Sequence, residues 1–248
     1  MNSVRALLRG DGPLVAVSFG DQDSERAAAE ARALGVDVAE LRVDQFVRTD
    51  AEHVVAQVRA FGELPVLVTV RAAHEGGGWH GTGAERLELF RAVAPLADAV
   101  DIELSSQDIL ADVVALGREH DAVTIVSYHD FDHTPALADL KAVVRDAKEA
   151  GADIVKVSTM ANSGQDVKRL ASLLLETGDQ ADLIVIAMGA TGTVSRVFFP
   201  VLGSRLTYSY LGENRTSGQL GFTDTLDLLR RFYPDFDHRK TTAQAANG

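Results

Sequence analysis

The chain has 248 residues, of which 46% are hydrophobic and 6 are proline, so it suits one large domain or two small ones. Its 36 acidic residues outnumber its 24 lysines and arginines, and the net charge of -12 disfavours nucleic acid and anionic membranes as partners. The absence of cysteine excludes disulfides, thiolate metal sites and cysteine nucleophiles. Because Arg5, Arg9 and Asp11 interrupt the first apolar run, we expect no signal peptide or membrane helix, and a cytoplasmic location.

Eight short apolar segments alternate with amphipathic segments of helical period along the chain. The helices at 24–34 and 135–151 are the clearest, and Gly151 suits the end of the second. Strands that are apolar on both faces and separated by helices predict an α/β parallel sheet, and eight units favour a (β/α)8 TIM barrel. A doubly wound open sheet is the alternative. The predicted strands are 14–19, 36–41, 65–70, 98–104, 122–128, 152–157, 182–188 and 205–210.

No linker rich in proline, glycine or serine divides the chain. We therefore predict one barrel domain over 1–237, followed by a polar, poorly ordered tail over 238–248. The glycine-rich stretch at 75–83, after the third strand, is also predicted to be less ordered.

Polar residues end or follow most of the predicted strands, where barrel enzymes build their active sites. Charges within apolar runs are costly to bury unless they are paired or used, so these residues predict one shared site. In chain order they are Glu40, Arg42, Arg71, Glu75, Glu103, His129, Asp130, Lys156, Arg196 and Gln219.

Lys156 lies in the apolar run DIVKVS, at the predicted end of strand six. Burial disfavours the charged form of a lysine, and neighbouring cations would act in the same direction. A neutral amine there would be able to attack a ketone. The alternative is a lysine that reaches water or pairs with Glu103.

His129 directly follows predicted strand five, and histidine is well suited to exchange a proton near neutral pH. A buried or capping histidine without catalytic function is the alternative. A carboxylate at Glu75 would fix the tautomer of His129 by accepting a hydrogen bond. Arg71 stands four residues before Glu75, and seen in isolation the two suggest a surface ion pair.

Two weaker patterns point to other ligands. His129 and His133 have the spacing of zinc-binding histidines on a helix, but Thr134 precedes Pro135, which disfavours a helix there, and we expect no metal. The glycine-rich segment 189–196 has the composition of a phosphate loop. Arg196 at its end supplies a planar cation that suits a carboxylate as well as a phosphate.

Seven motifs, in order, resemble the type I 3-dehydroquinate dehydratases of the shikimate and quinate pathways. The resemblance implies a TIM-barrel lyase that converts 3-dehydroquinate to 3-dehydroshikimate through a Schiff base. It also implies a homodimer, a small cyclic keto acid as substrate, and no metal or organic cofactor. The motifs are ELRVD (40–44), RxxxEGG (71–77), DIEL (101–104), SYHDFxxTP (127–135), DIVKV (153–157), MGxxGxxSRV (188–197) and GSxxTY with a later GQ (203–219).

The resemblance also implies roles for single residues. Lys156 would form the Schiff base, His129 would act as general acid and base, and Glu75 would hold His129 in place. Arg196 and Gln219 match positions that bind the substrate carboxylate. The remaining matches contact hydroxyl groups or line the pocket: Ser18, Glu40, Arg42, Arg71, Met188 and Tyr208.

The chain departs from the family pattern at a few positions. Tyr208 replaces a phenylalanine and adds a hydroxyl, and Ile186 replaces a methionine. After strand eight, Arg215 and Ser217 replace a serine and a proline. Arg215 would either strengthen carboxylate binding beside Arg196 or adapt the pocket to a related cyclic keto acid.

Two further functions compete with the dehydratase. A Schiff-base aldolase acting on a sugar phosphate would need a phosphate site and would leave Arg71, Glu75 and His129 without a role. A non-catalytic barrel that binds a shikimate-type ligand would be expected to lose Lys156 or His129. The sequence does not separate aromatic amino acid biosynthesis from quinate breakdown, because both use the same elimination.

Overall fold

A computed structural model of the chain describes residues 12–212, 217–233 and 235–236. The strands are β1 Leu14–Phe19, β2 Val38–Arg42, β3 Val66–Thr69, β4 Ala99–Glu103, β5 Val123–Asp130, β6 Ile154–Met160, β7 Asp182–Met188 and β8 Leu206–Ser209. The helices are α1 Ser24–Leu34, α2 Ala51–Ala60, α3 Gly83–Val93, α4 Leu110–Glu119, α5 Leu137–Glu149, α6 Gly164–Thr177, α7 Ser195–Phe198 and α8 Phe222–Phe232.

The eight strands form one parallel sheet in the order β7-β6-β5-β4-β3-β2-β1-β8. Two hydrogen bonds join its ends: Arg205 N–H donates to the Leu183 carbonyl at 2.8 Å, and Val185 N–H donates to Ser204 Oγ at 3.0 Å. The sheet is therefore a nearly closed barrel with alternating helices. This confirms the predicted (β/α)8 architecture and excludes the doubly wound open sheet. In the described part of the chain, no helix has the length and hydropathy needed to cross a membrane.

Two strands extend beyond their predicted ends. β5 runs to Asp130 and β6 to Met160, because parallel pairing continues through His129 opposite Ser158. The predictions that His129 and Asp130 follow strand five and that Lys156 ends strand six were therefore wrong. His129 and Asp130 are the last two residues of β5, and Lys156 is the third of seven residues in β6. The tail 238–248 and Arg215 lie outside the described residues.

The strands have an apolar outer face and a layered inner face. Outward residues such as Val17, Leu41 and Val100 pack against the helices in the main hydrophobic core. Inward residues form a second core, since side chains alternate between faces with a period of two. Its inward strand residues are Leu14, Ala16, Val38, Leu67, Ala99, Val123, Ile125, Ile154, Ile184, Ile186, Met188, Leu206 and Tyr208.

Candidate active site

The inner face becomes polar toward the carboxyl ends of the strands. Counting two residues along from Val38, Leu67, Ala99 or Ile154 leads to the next inward position on that strand. Polar residues occupy most of this level, and a second polar level lies two residues further on. The first level contains Ser18, Glu40, Thr69, Asp101, Ser127, Lys156, Ile186 and Tyr208. The second contains Arg42, Arg71, Glu103, His129 and Ser158.

Lys156 is buried at the centre of this polar region, with 5% of the residue exposed. Its Nζ donates to Asp101 Oδ2 at 2.9 Å and lies 3.8 Å from Glu40 Oε1. The same Nζ stands over the ring of Tyr208, 4.6 Å from its centroid. The alternatives of a lysine that reaches water or pairs with Glu103 were wrong. The charged groups in contact with Nζ are the carboxylates of Asp101 and Glu40, not the cations that the sequence suggested.

Asp101 connects Lys156 to Arg71. Its Oδ1 accepts hydrogen bonds from Arg71 Nη2 and from Ser127 Oγ, both at 2.7 Å. Burial by itself would raise the pKa of Asp101, but the charges of Arg71 and Lys156 hold that pKa well below its ordinary value. Asp101 is therefore a permanent anion beside the lysine. It lies in the DIEL motif (101–104) and is not among the site residues predicted from the sequence.

Glu103 is held by two arginines at the next level. Its Oε1 accepts from Arg71 Nη1 at 2.7 Å, and its Oε2 accepts from Arg86 Nη2 at 2.5 Å. Arg86 comes from α3 and is 3% exposed. Three buried carboxylates thus face three buried cations, which keeps the centre near neutrality. These groups are Glu40, Asp101, Glu103, Arg71, Arg86 and Lys156.

His129 and Glu75 form a buried pair beside Arg71. Glu75 Oε2 lies 2.9 Å from His129 Nδ1 and also accepts the His129 backbone N–H at 3.0 Å. Burial lowers the pKa of His129 well below its ordinary value, and the charges of Arg71 and Lys156 lower it further. The ring is therefore neutral at pH 7. With Nδ1–H donated to Glu75, Nε2 has its lone pair available and meets no hydrogen-bond partner among the described residues.

Glu75 itself is an unusual carboxyl group. Burial raises the pKa of Glu75 to about 7, although a hydrogen bond from Ser105 Oγ favours its ionised form. The sequence suggested a surface ion pair between Glu75 and Arg71, and this was wrong. Both residues are buried, and Arg71 contacts Asp101 and Glu103 instead. The expected contact between Glu75 and His129 is present.

Two further predicted residues lie on the β1 and β2 side of the mouth. Ser18 Oγ donates to Glu40 Oε2, and Thr69 Oγ1 donates to Glu40 Oε1 at 3.0 Å. Arg42 makes a forked contact with Asp44, with Nε at 3.0 Å and Nη2 at 2.9 Å. Asp44, which is not among the site residues predicted from the sequence, thus orients the guanidinium that stands above Glu40 on β2.

Arg196 and Tyr208 carry polar atoms that remain unsatisfied. Arg196 is 4% exposed, and among the described residues its Nε has no hydrogen-bond partner and no carboxylate lies within 4.0 Å of its guanidinium. Burial lowers the pKa of Arg196 to about 10. The Tyr208 hydroxyl is also buried without a partner among the described residues. A buried cation without an anion is costly, so this side of the mouth suits an anionic ligand.

The segment 217–221 lies against the end of β7. Gly218 has φ +81°, and a Cβ there would stand 2.2 Å from the Gly189 carbonyl oxygen. This contact places Gln219, which is partly buried, next to the loop that follows Met188. Gly192 is similarly close to Ala187, where a Cβ would lie 2.2 Å from the carbonyl oxygen. Close packing thus explains that glycine of the 189–196 segment without a phosphate.

The two histidines of the zinc-like spacing are separated. His129 is buried in β5, whereas the His133 side chain is 65% exposed and lies 3.3 Å from Asp130. They do not share a helical face, because the segment between them is the end of a strand and a bend. No cluster of three potential metal-binding side chains occurs in the described ranges.

Comparison with known proteins agrees with this geometry. The profile of the family described as "Type I 3-dehydroquinase" matches residues 14–234. The chain belongs to the type I 3-dehydroquinase family. A 3-dehydroquinate dehydratase of Methanocella arvoryzae is 38% identical over 218 residues, covering 88% of this chain and 96% of the relative. One of Hydrogenobaculum sp. is 35% identical over 221 residues, covering 88% and 98%.

Solved structures support the same family. The 3-dehydroquinate dehydratase of Aquifex aeolicus has a TM-score of 0.81 at 33% identity, covering 89% of this chain and 99% of that one. That of Geobacillus kaustophilus has a TM-score of 0.84 at 31% identity, covering 90% and 93%. This type I 3-dehydroquinase therefore has the family's barrel. The residues that sequence reasoning passed over are Asp44, Arg86, Asp101 and Ser127, and counting by two from Glu103 and His129 would have found Asp101 and Ser127.

Proposed function

We propose that this type I 3-dehydroquinase converts 3-dehydroquinate to 3-dehydroshikimate through a Schiff base on Lys156. The observation that carries the proposal is the buried Lys156 paired with the permanent anion Asp101, one level below the neutral His129. A nucleophilic amine and a base on adjacent strands are what an imine-assisted elimination needs. Arg196, which has no carboxylate partner among the described residues, supplies a place for the carboxylate of a cyclic keto acid.

The first step joins Lys156 to the ring ketone: the ammonium passes one proton to the neutral His129 Nε2, the freed amine attacks the carbonyl carbon, and His129 returns the proton to the departing oxygen. Loss of water then gives an iminium, which has the same positive charge as the lysine ammonium. Asp101, 2.9 Å from Nζ, stabilises that charge without accepting its proton, because its own pKa is so low. The Tyr208 ring below the cation adds a second attraction.

The second step is proton transfer to His129. The iminium withdraws electrons from the adjacent ring carbon, and Nε2 of the neutral imidazole takes the proton from that carbon to leave an enamine. Glu75 accepts Nδ1–H and stabilises the imidazolium that forms. The enamine then expels the β-hydroxyl, which leaves as water with the proton from His129 Nε2. Hydrolysis of the imine releases the product and restores Lys156.

The rest of the mouth would hold the substrate. Arg196 is proposed to bind the carboxylate, with Gln219 beside it, while Arg42 and Arg71 are proposed to lie near the ring hydroxyls. Arg215 and its part in the loop stay a prediction, as do Ser18 and Met188 as pocket residues. No organic cofactor is required, because the lysine acts as the electron sink.

Two alternatives are weaker on specific observations. A sugar-phosphate aldolase is disfavoured because the 189–196 segment uses Gly192 for packing against Ala187. A non-catalytic ligand-binding barrel is disfavoured because Lys156 and His129 are both present and paired with carboxylates. Dehydration of a related cyclic keto acid uses the same groups and would be distinguished by the substrate alone.

Borohydride trapping tests the proposal. The protein is incubated with 3-dehydroquinate, the ultraviolet absorbance of the conjugated product is followed, and borohydride is added during turnover. We expect reduction of the imine to attach the ligand irreversibly to the peptide that contains Lys156, as read by mass spectrometry. Lys156→Ala should lose both the label and the turnover.

The controls separate mechanism from substrate. Lys168→Ala changes an exposed lysine on α6 and should keep the label and the rate. A metal chelator should not change the rate. Turnover without any label on Lys156 would refute the Schiff base, whereas no turnover would refute 3-dehydroquinate as substrate. The homodimer and the cytoplasmic location stay predictions, which sedimentation velocity and cell fractionation would test.

A further inference from the structure

A chain of hydrogen bonds leads from His129 to the protein surface. Glu75 Oε2 is 2.9 Å from His129 Nδ1, and Glu75 Oε1 accepts a hydrogen bond from Ser105 Oγ. Ser105 Oγ in turn lies 2.9 Å from His74 Nε2. Ser105 and His74 are both exposed, so three side chains join the buried imidazole to solvent.

Local structure brings these residues together. A short 3-10 helix, Ala73–Glu75, turns Glu75 inward and leaves the neighbouring His74 outside. Ser105 follows β4 by two residues and reaches Glu75 from the other side. His74 and Ser105 line a cavity of about 370 Å³ whose wall also includes Arg86 and Asp108. Solvent therefore reaches the outer end of the chain.

The number of protons fixes the direction of these hydrogen bonds. The Ser105 hydroxyl has one proton and donates it to Glu75 when Glu75 is ionised. The contact with His74 therefore requires that His74 Nε2–H donates to Ser105 Oγ. When Glu75 is protonated on Oε1, the directions reverse: Glu75 donates to Ser105, and Ser105 donates to an unprotonated His74 Nε2.

We propose that Ser105 and His74 are positioning residues that hold Glu75 in the carboxylate form facing His129 and that connect this buried carboxyl to solvent. The inference rests on the proposed function, in which His129 is the base. A proton enters when water protonates His74 Nδ1; the Nε2 proton passes to Ser105 Oγ, and the Ser105 proton passes to Glu75 Oε1. His74 is then neutral again, and one proton has moved from solvent to Glu75.

The surroundings of Glu75 explain why this support matters. The pKa of Glu75 is raised to about 7, mainly by burial and also by the charge of Glu103, although Arg71 and the His129 backbone N–H lower it. Tyr128 also lies near enough to interact with Glu75 electrostatically. The Ser105 hydrogen bond lowers the pKa of Glu75, and among these groups it alone is contributed by an exposed side chain. Its loss would leave Glu75 protonated at higher pH.

The pH dependence of kcat/KM tests the inference with two matched serine variants. Ser105→Ala should move the acid limb upward by about 0.5 to 1 pH unit, because one hydrogen bond to the carboxylate is lost. Ser105→Thr keeps the hydroxyl and should keep the parent profile. At pH 9, where Glu75 is ionised in all three proteins, their rates should agree within about 3-fold. An unshifted Ser105→Ala profile, or an equal shift in Ser105→Thr, would overturn the proposal.

A second pair tests His74. His74→Leu removes the donor to Ser105 and should shift the acid limb in the same direction by a smaller amount. His74→Gln keeps an N–H donor, so its pH profile should lie close to that of the parent. Equal profiles for both variants would remove His74 from the chain of hydrogen bonds.

A measurement without turnover separates this inference from the proposed function. The Nδ1 resonance of His129 in isotope-labelled protein should follow the ionisation of Glu75, with a midpoint that rises in Ser105→Ala and not in Ser105→Thr. If the parent does not turn over 3-dehydroquinate, the proposed function fails, but this measurement still tests the chain of hydrogen bonds from His129 to His74. An unchanged midpoint of the His129 Nδ1 titration in Ser105→Ala would by itself refute the proposed role of the chain of hydrogen bonds.

Discussion

Tyr208 and Arg196 each have a buried polar atom that no described residue satisfies; Arg86 Nε is also unsatisfied, but the Arg86 guanidinium is paired with Glu103. Lys156, Arg71 and Arg86 all have carboxylate partners. Burial raises the pKa of Tyr208 well above its ordinary value, and Glu40 and Asp101 raise it further. The hydroxyl is thus always protonated and can donate. We expect it to donate to the bound substrate.

Tyr208→Phe removes only this hydroxyl. We expect KM for 3-dehydroquinate to rise about 3- to 10-fold, since one hydrogen bond to the ligand is lost, with a smaller change in kcat. The free protein should be as stable as the parent or more stable, because an unsatisfied buried hydroxyl has been removed.

Steady-state kinetics measures the change in KM and kcat. Thermal melting without product measures the stability of the free protein, and melting with product measures how much the ligand stabilises it. Tyr208→Leu, which also removes the ring below Lys156, should reduce kcat as well. An unchanged KM in Tyr208→Phe would show that the hydroxyl does not contact the substrate.

Among the loops, the segment at 217–221 is held against the barrel by a close backbone contact at Gly218, by a hydrogen bond from Ser209 Oγ to the Leu220 carbonyl and by a bridge between Tyr210 and Gly221. Gly218 approaches the Gly189 carbonyl oxygen so closely that a Cβ would lie at 2.2 Å. Backbone atoms cannot move aside as a flexible side chain can. This contact therefore sets the height of Gln219 above the mouth.

Gly218→Ala should displace the segment and raise KM by about 10-fold or more, because Gln219 no longer reaches the substrate carboxylate. Borohydride should still label Lys156 at saturating substrate. Gly212→Ala is the matched control, since Gly212 also has a positive φ, +71°, but a Cβ there would meet nothing within 4 Å. Both variants carry the same backbone strain of about 1 kcal/mol, so an equal rise in KM would contradict the role of the contact.

Over the whole molecule, the buried Glu75 makes stability depend on pH. Its pKa rises from 4.5 to about 7 on folding. The folded state therefore binds a proton more tightly than the unfolded state, so this contribution to stability is fully present below about pH 4.5 and is lost as the pH rises through about 7. The protein keeps an ionised Glu75 at pH 8 at the expense of stability.

Glu75→Gln should be more stable than the parent at pH 8, by about 1 to 3 kcal/mol, and similar to it at pH 5. Urea denaturation at the two pH values measures the difference. Activity should fall, because an amide cannot balance the charge of the imidazolium. Glu63→Gln, at a side chain that is 77% exposed, should change neither quantity. If Glu75→Gln instead stabilised the protein more at pH 5 than at pH 8, the ionised Glu75 would be stabilising, which contradicts the expected pH dependence.

The sequence by itself determined the order of strands and helices, because the periodicity of apolar residues is a local property of the chain. β1, β7 and α1 have the predicted bounds. The barrel follows from eight such units. Lys156 and His129 were also identifiable, since a charged residue in an apolar run is visible without knowing its neighbours.

Only the tertiary structure decided which charges are paired. Lys156 contacts Asp101 rather than Glu103, although both acidic residues lie on β4, two positions apart. The register between β4, β5 and β6 selects the level at which each side chain enters the barrel, and β6 continues to Met160. Glu103 is then left for Arg71 and for Arg86, which arrives from a helix. Electrostatic partners are chosen by distance in space, and the stagger of neighbouring strands that sets this distance is not written in any one segment.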